Sequence, residues 1–161
     1  MQVIDASSMI YAWDNYPIEQ FPGLWEWMAT QIEAENLVIP SVAFDEVSHK
    51  VPECCDWLRE SGIKKIEVTN IILQDAMRIK ALIGVIDDGY HPKGVDENDL
   101  IIITTARAKH CELISEEARQ PSLTRNEPTK RKIPAVCAVN GVDVTCINFI
   151  EYLKSTQAIF R

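Results

Sequence analysis

With 161 residues, 47% of them hydrophobic and 25% charged, the chain carries enough apolar material for one globular domain with a real core, residues 1–161. No apolar run approaches the ~18 residues of a membrane span, and the amino terminus lacks the basic segment and long apolar stretch of a signal peptide; a cytoplasmic protein is expected. A net charge of −8 and a pI of about 4.9 argue against a broad basic face for nucleic acid, but leave open a nuclease whose own site is a cluster of acids.

In chain order, residues 2–6 read as a buried strand, and Ser7 or Ser8 is placed to cap a short helix carrying Met9, Ile10 and Trp13. Tyr16-Pro17 and Phe21-Pro22-Gly23 break it. Leu24, Trp25, Met28 and Ile32 then recur at helical spacing to about residue 36. Leu37-Val38-Ile39 reads as a strand ended by Pro40, and helices follow over 40–50 and 52–62, the second stopped by Gly62. Residues 65–68 read as a strand or edge segment, and 70–83 as a long amphipathic helix. Residues 87–94 form the clearest loop. Asp96 opens a strongly apolar helix through Ala108, and 112–115 read as a strand.

Residues 118–132 are polar, contain two prolines and read as a mobile loop. Residues 133–139 and 142–147 read as short strands or turns around Asn140-Gly141, and Asn148 caps a final helix to about Thr156. Strands alternating with helices predict a three-layer α/β/α sandwich with a mainly parallel central sheet. Five cysteines (Cys54, Cys55, Cys111, Cys137, Cys146) form no C-x-x-C pair and read as reduced thiols packed as small hydrophobes. No spacing with His49, His91 or His110 matches a zinc site.

The acids carry the chemistry. Asp5 falls at the end of the first apolar run, at the sheet edge where α/β folds open their ligand crevice. The alternative is that it caps the following helix or accepts a hydrogen bond from Ser7 or Ser8. Glu46 lies beside Asp45 between Val42 and Val47, open to a solvated helix face or to a ligand role. Asp96 and Asp99 have capping-box spacing before Leu100-Ile101-Ile102-Ile103, which explains both without a metal. Glu116-Glu117 follow a late strand and suit an exposed turn equally well. Taken together, acids after the first strand, on a mid-chain helix, at a helix start and after a late strand predict convergence at one end of a sheet. Oxygen ligands select hard cations such as Mg²⁺ or Mn²⁺, and a pair of such ions suits phosphodiester hydrolysis. No G-x-S-x-G, phosphate-binding glycine loop or H-E-x-x-H offers a rival chemistry.

At these residues the chain resembles a known superfamily. Val3-Ile4-Asp5-Ala6-Ser7 resembles the opening strand of PIN domains, Asp99-Leu100-Ile101-Ile102-Ile103-Thr104-Thr105-Ala106 their D-A-L-I-A-A-T-A helix start, and Leu113-Ile114-Ser115-Glu116-Glu117 their L-V-T-x-D/E strand end. Phe21-Pro22-Gly23-Leu24-Trp25-Glu26-Trp27, Asp45-Glu46-Val47, and Lys132-Ile133-Pro134-Ala135-Val136-Cys137 followed by Cys146-Ile147-Asn148 are similar to a narrower PIN-like group of unknown function related to VapC-type toxin ribonucleases. The resemblance covers nearly the whole chain.

It implies metal-binding acids at Asp5, Glu46, Asp99 and Glu117, with Ser7 and Ser115 supporting the site by hydrogen bonding. Asp96 stays as a helix cap or outer metal ligand, and Glu116 as a substitute for Glu117. It further implies a Mg²⁺- or Mn²⁺-dependent endoribonuclease, often the toxin of a toxin–antitoxin pair, that dimerises and is silenced by a cognate antitoxin protein. The basic segment Arg125, Lys130, Arg131 and Lys132 is the candidate contact to the RNA backbone, against a solvated loop. The competing readings are a non-catalytic PIN-like module that binds protein or RNA, and a flap-cleaving DNA nuclease, for which 161 residues leave little room. Trp25, Trp27 and Trp57 are assigned to the core or a dimer interface rather than to base stacking.

Overall fold

Strands covered on both faces read as continuous apolar runs, and the runs found in the sequence become the middle of a five-stranded parallel sheet. The computed structural model describes residues 1–123 and 126–161. Its strands are β1 (Gln2–Ile4), β2 (Leu37–Pro40), β3 (Lys65–Ile66), β4 (Glu112–Ile114) and β5 (Cys146–Ile147). They pair in the order β3-β2-β1-β4-β5, with Val3 in register with Val38 on one side and Leu113 on the other. Val3, Ile4, Leu37, Val38, Ile39, Leu113 and Ile114 have no solvent exposure at all.

Helices supply the two outer layers. α1 (Ala6–Asn15) and α2 (Pro22–Glu33) join β1 to β2, and α3 (Ser41–Lys50) and α4 (Pro52–Glu60) join β2 to β3. α5 (Asn70–Leu82) and α6 (Glu97–Lys109) carry the chain from β3 back across β2 and β1 to β4; α7 (Ile133–Cys137) leads to β5 and α8 (Phe149–Thr156) follows it. α6 lies across β1, β2 and β4 with α5 and α7 beside it, whereas α1 packs with α3, α4 and α8, and α2 rests on β2. The result is the expected three-layer α/β/α sandwich.

The reversal of strand order beside β1 opens a crevice at the carboxyl ends of β1 and β4. Among the described residues no helix is long and apolar enough to cross a membrane.

α6 is the central helix. Leu100 to Ala106 are all buried, so the helix has no polar face in its middle and packs on every side. Its two buried threonines remain satisfied because each hydroxyl donates to a carbonyl one turn back: Thr104 to Leu100 and Ile101, Thr105 to Ile101. The tryptophans pack as expected. Trp25 is buried, stands edge-on to Trp13 and Trp57, and donates its indole N–H to the Tyr16 carbonyl at 2.7 Å; Trp27 packs on Tyr152 and Phe160.

Three local expectations are corrected. The first strand stops at Ile4, because Asp5 takes the helix-capping role assigned to Ser7 or Ser8, and both serines fall inside α1. Residues 133–137 form a helix, not a strand. Ile133, Val136 and Cys137 are its buried residues, a helical i, i+3, i+4 set that so short an apolar run disguises. The described parts of the segment over 118–132 are pinned rather than loose: the Gln120 side chain donates to the Lys130 carbonyl (2.9 Å) and accepts from the Lys132 N–H (2.7 Å), and Val95 N–H donates to the Arg131 carbonyl (2.8 Å).

Candidate active site

The site begins where β1 ends. Asp5 has extended backbone as the N-cap of α1, and its Oδ1 accepts the Ala6 N–H at 2.7 Å. Oδ2 accepts two hydroxyls, Ser7 Oγ at 2.7 Å and Ser115 Oγ at 3.0 Å. Ser115 stands just beyond β4; its own N–H donates to Ile147, as the Asp5 N–H donates to Ile114. Sheet pairing therefore brings residues 110 positions apart to one carboxylate.

The two hydroxyls also pass the order onward, since Ser7 Oγ accepts the Glu116 N–H (3.0 Å) and Ser115 Oγ the Glu117 N–H (3.2 Å). Asp5 is only 3% exposed. Burial pushes its carboxyl up to about 6, outweighing the Ser7 and Ser115 hydrogen bonds that favour the charge, and Glu46 pushes the same way.

Asp99 comes from the first turn of α6. The capping box legible in the sequence is formed: Asp99 N–H donates to Asp96 Oδ1 (2.9 Å) and Asp96 N–H to Asp99 Oδ2 (3.0 Å). Capping does not exhaust the residue. Burial first, and then the charges of Asp96, Asp5 and Glu117, push the Asp99 carboxyl up to about 8, against the Asp96 N–H that favours the carboxylate. Asp99 thus shares an electrostatic environment with acids from β1 and β4, and capping and clustering are both true of it.

The two glutamates are each held by a lysine. Glu46, half-buried on α3, accepts from Lys50 one turn later at 2.6 Å. That hydrogen bond raises the Lys50 ammonium, and the Asp5 and Glu117 charges act in the same direction. Glu117 Oε2 stands 3.8 Å from Lys132 Nζ. Glu116 is otherwise engaged. Its Oε1 accepts the Phe149 N–H at the start of α8 and the Ser8 hydroxyl, so it fastens α8 to α1 and leaves Glu117 as the acid of the site.

Acids from separate elements thus act on one another: Asp5 feels Glu46, and Asp99 feels Asp96, Asp5 and Glu117. Among the described residues no group of three or more acid, histidine or cysteine side chains stands so that it could hold a metal ion. Lys50 pairs with Glu46, Lys132 with Glu117, and the α6 cap engages Asp99. The donors are nonetheless all carboxylate oxygen, the set that suits Mg²⁺ or Mn²⁺.

Hollows of about 490 and 650 Å³ lie at the amino ends of β1 and β4 and between α5 and α6, lined by residues such as His110, Cys111 and Ile72, and neither includes an acid of the cluster. Of the basic segment, Lys130 pairs with Glu127 and Lys132 reaches the site. Arg131 holds the loop before α6 through its carbonyl. Arg125 lies outside the described residues. Sequence reasoning missed Lys50; its i, i+4 spacing from Glu46 was the available signal.

Strand order, switch point and acid placement define a PIN-like α/β fold related to that of VapC proteins. Within that class the chain belongs to the family described as domain of unknown function DUF4411, which matches residues 2–160. The crystal structure of VapBC2 from Rickettsia felis bound to a DNA fragment from their promoter superimposes with a TM-score of 0.52 at 16% identity, over 92% of this chain and 98% of that one. The crystal structure of PAE2754 from Pyrobaculum aerophilum gives a TM-score of 0.45 at 14% identity, over 83% and 89%. Among curated proteins none matches.

Proposed function

We propose that this protein is a Mg²⁺- or Mn²⁺-dependent endoribonuclease, acting as the toxin of a toxin–antitoxin pair in the cytoplasm. The observation that carries the reading is the buried Asp5 carboxylate at the switch point, oriented by Ser7 and Ser115 and sharing its field with Glu46, Asp99 and Glu117. A buried, strongly perturbed acid set in a crevice of an α/β sheet is the arrangement expected of a functional site. Asp5, Glu46, Asp99 and Glu117 would hold the cation, with Asp96 as a further oxygen. When bound, a divalent ion supplies Lewis acidity for phosphodiester hydrolysis.

The chain's own residues do the rest. Ser7 and Ser115 fix the rotamer of Asp5, so that its oxygens face the crevice without a search. Lys130 and Arg131, whose backbone is pinned beside the start of α6, would contact backbone phosphates, where basic side chains provide most of the affinity. The fold shared with VapBC2, a two-component assembly by its name, supports a cognate antitoxin as partner, and the proposed working form is a homodimer. Incubation of the protein with single-stranded and structured RNA in Mn²⁺ should give discrete fragments that EDTA suppresses. Intact RNA in every metal and buffer would set the proposal aside.

A non-catalytic PIN-like module that binds protein or RNA is the second reading. The lysine pairing of Glu46 and Glu117 favours it, because a decayed site would hold its acids in the same way. A melt with and without Mn²⁺ separates the two, since the module predicts no shift.

A further inference from the structure

We infer that Cys137 and Cys146 are an oxidation site: hydrogen peroxide joins them in a disulfide, which small thiols reduce again. The inference is independent of the proposed metal site. Its basis is where the fold puts two of the free cysteines. Cys137 ends α7 and is buried, and Cys146 opens β5 and is half-buried. Between them the chain doubles back through Gly141 at φ 93°, and the Val144 N–H donates to the Cys137 carbonyl at 3.1 Å. Val144 and Cys146 both line a hollow of about 410 Å³, with Pro134, Ala135 and Ala138 along α7 as its other wall. Cys146 therefore faces the helix that carries Cys137, and the two thiols are in hydrogen-bonding contact. The other cysteines are placed differently: Cys54 and Cys55 are successive residues of α4, so their side chains diverge, and Cys111 precedes β4.

Access assigns the roles. Cys146 borders the hollow and meets the oxidant first. The hydrogen bond with Cys146, and then burial, push the Cys137 thiol up, which makes it the poorer first nucleophile. The Cys146 sulfur attacks one peroxide oxygen, the O–O bond breaks, and the departing oxygen leaves as water with the thiol proton. Cys146 is then a sulfenic acid. The Cys137 sulfur attacks it: the S–S bond forms, the S–O bond breaks, and the hydroxyl leaves as water with the Cys137 proton. Two thiols have lost two electrons in all, and one peroxide has become two waters. The new bond ties α7 to β5, the strand whose Ile147 carbonyl accepts the Ser115 N–H at 2.8 Å.

The test is a thiol count on the full chain, with neither RNA nor metal present. Reduced protein treated with hydrogen peroxide, then unfolded and alkylated, should have lost two of its 5 free thiols. Digestion should give a peptide that joins Cys137 to Cys146, and dithiothreitol should restore both thiols. The oxidised protein should melt roughly 5–10 °C above the reduced one, because the bond closes a short loop. Cys137→Ser should abolish that gain and leave Cys146 as a sulfenic acid that dimedone captures. Circular dichroism checks that this variant folds, and the digest of the wild-type chain decides the matter without it. All thiols intact after peroxide, a bridge between other cysteines or between two chains, or Cys146 driven to the sulfinic acid beside a free Cys137 would overturn the assignment.

Discussion

At Asp5 two forces oppose each other. Three donors favour the carboxylate, yet burial of the charge wins and the group is pushed from its ordinary 3.8 to about 6. Asp99 is pushed further, to about 8. Above pH 3.8 the folded protein keeps protons that the unfolded chain has released. Metal-free stability therefore falls as pH rises, through about 6 for Asp5 and on towards 8 for Asp99. Thermal melts in EDTA should show a decline between pH 5 and pH 8 as an order-of-magnitude window from these shifts, and a rising profile would contradict the electrostatics. Asp5→Asn removes a charge whose burial costs about 3 kcal/mol at pH 8. The variant should melt higher than wild type in EDTA at that pH while losing RNA cleavage; cleavage at the wild-type rate would remove Asp5 from the mechanism. Ser115→Ala deletes one donor to the carboxylate and leaves the acid in place. Its Mn²⁺ uptake should move to higher pH, and an unmoved profile would mean that the hydroxyl does nothing for Asp5.

The helix ends decide where the candidate acids stand. Gly94 precedes α6, and a Cβ there would meet the Thr129 carbonyl at 2.0 Å, so only glycine lets the segment over 128–132 lie against the start of that helix. Gly94→Ala should destabilise the protein by about 1–3 kcal/mol, read from the urea midpoint, and lower activity by displacing Asp99. An unaltered midpoint would show that the two segments part freely. Asn148 makes an equivalent capping box with Glu151 on α8, remote from the acids in role. Asn148→Ala should lose about 1 kcal/mol with cleavage per folded molecule retained. Elements of this kind are legible in a sequence, because Asp96, Asp99 and Asn148 carry their own start signals. Ile133-Pro134-Ala135-Val136-Cys137 was not legible as a helix, since five residues hold barely one period and β-branched side chains suit a strand as well. The same limit hid the end of β1. A run of apolar residues gives no sign of which residue first turns its N–H groups towards Asp5.

Across the molecule, parallel strand order sets Asp5 after β1 and Glu117 after β4 at one edge of the sheet. Both act on Asp99 of α6, and Asp5 also feels Glu46 of α3, a candidate arrangement suggested by acids after two strands, on a mid-chain helix and at a helix start. The cations facing them did not follow from such patterns. Lys50 and Lys132 lie on different elements, and only the folded packing shows that their charges fall on one cluster. The expected fold thus emerges from local patterns, whereas the balance of charge is a property of the assembled structure. A ligand that binds only the folded state stabilises it by roughly 2.7 kcal/mol at 100 times its dissociation constant. Mn²⁺ should therefore raise the melting temperature of the wild-type protein and fail to do so for an Asp5→Asn, Asp99→Asn double variant; an equal rise in both would point to metal bound elsewhere. The most direct measurement is anomalous scattering from a crystal soaked in Mn²⁺. A peak bounded by Asp5, Asp99 and Glu117 is the expected result. No peak there at millimolar metal would contradict the claim that these carboxylates form a metal centre.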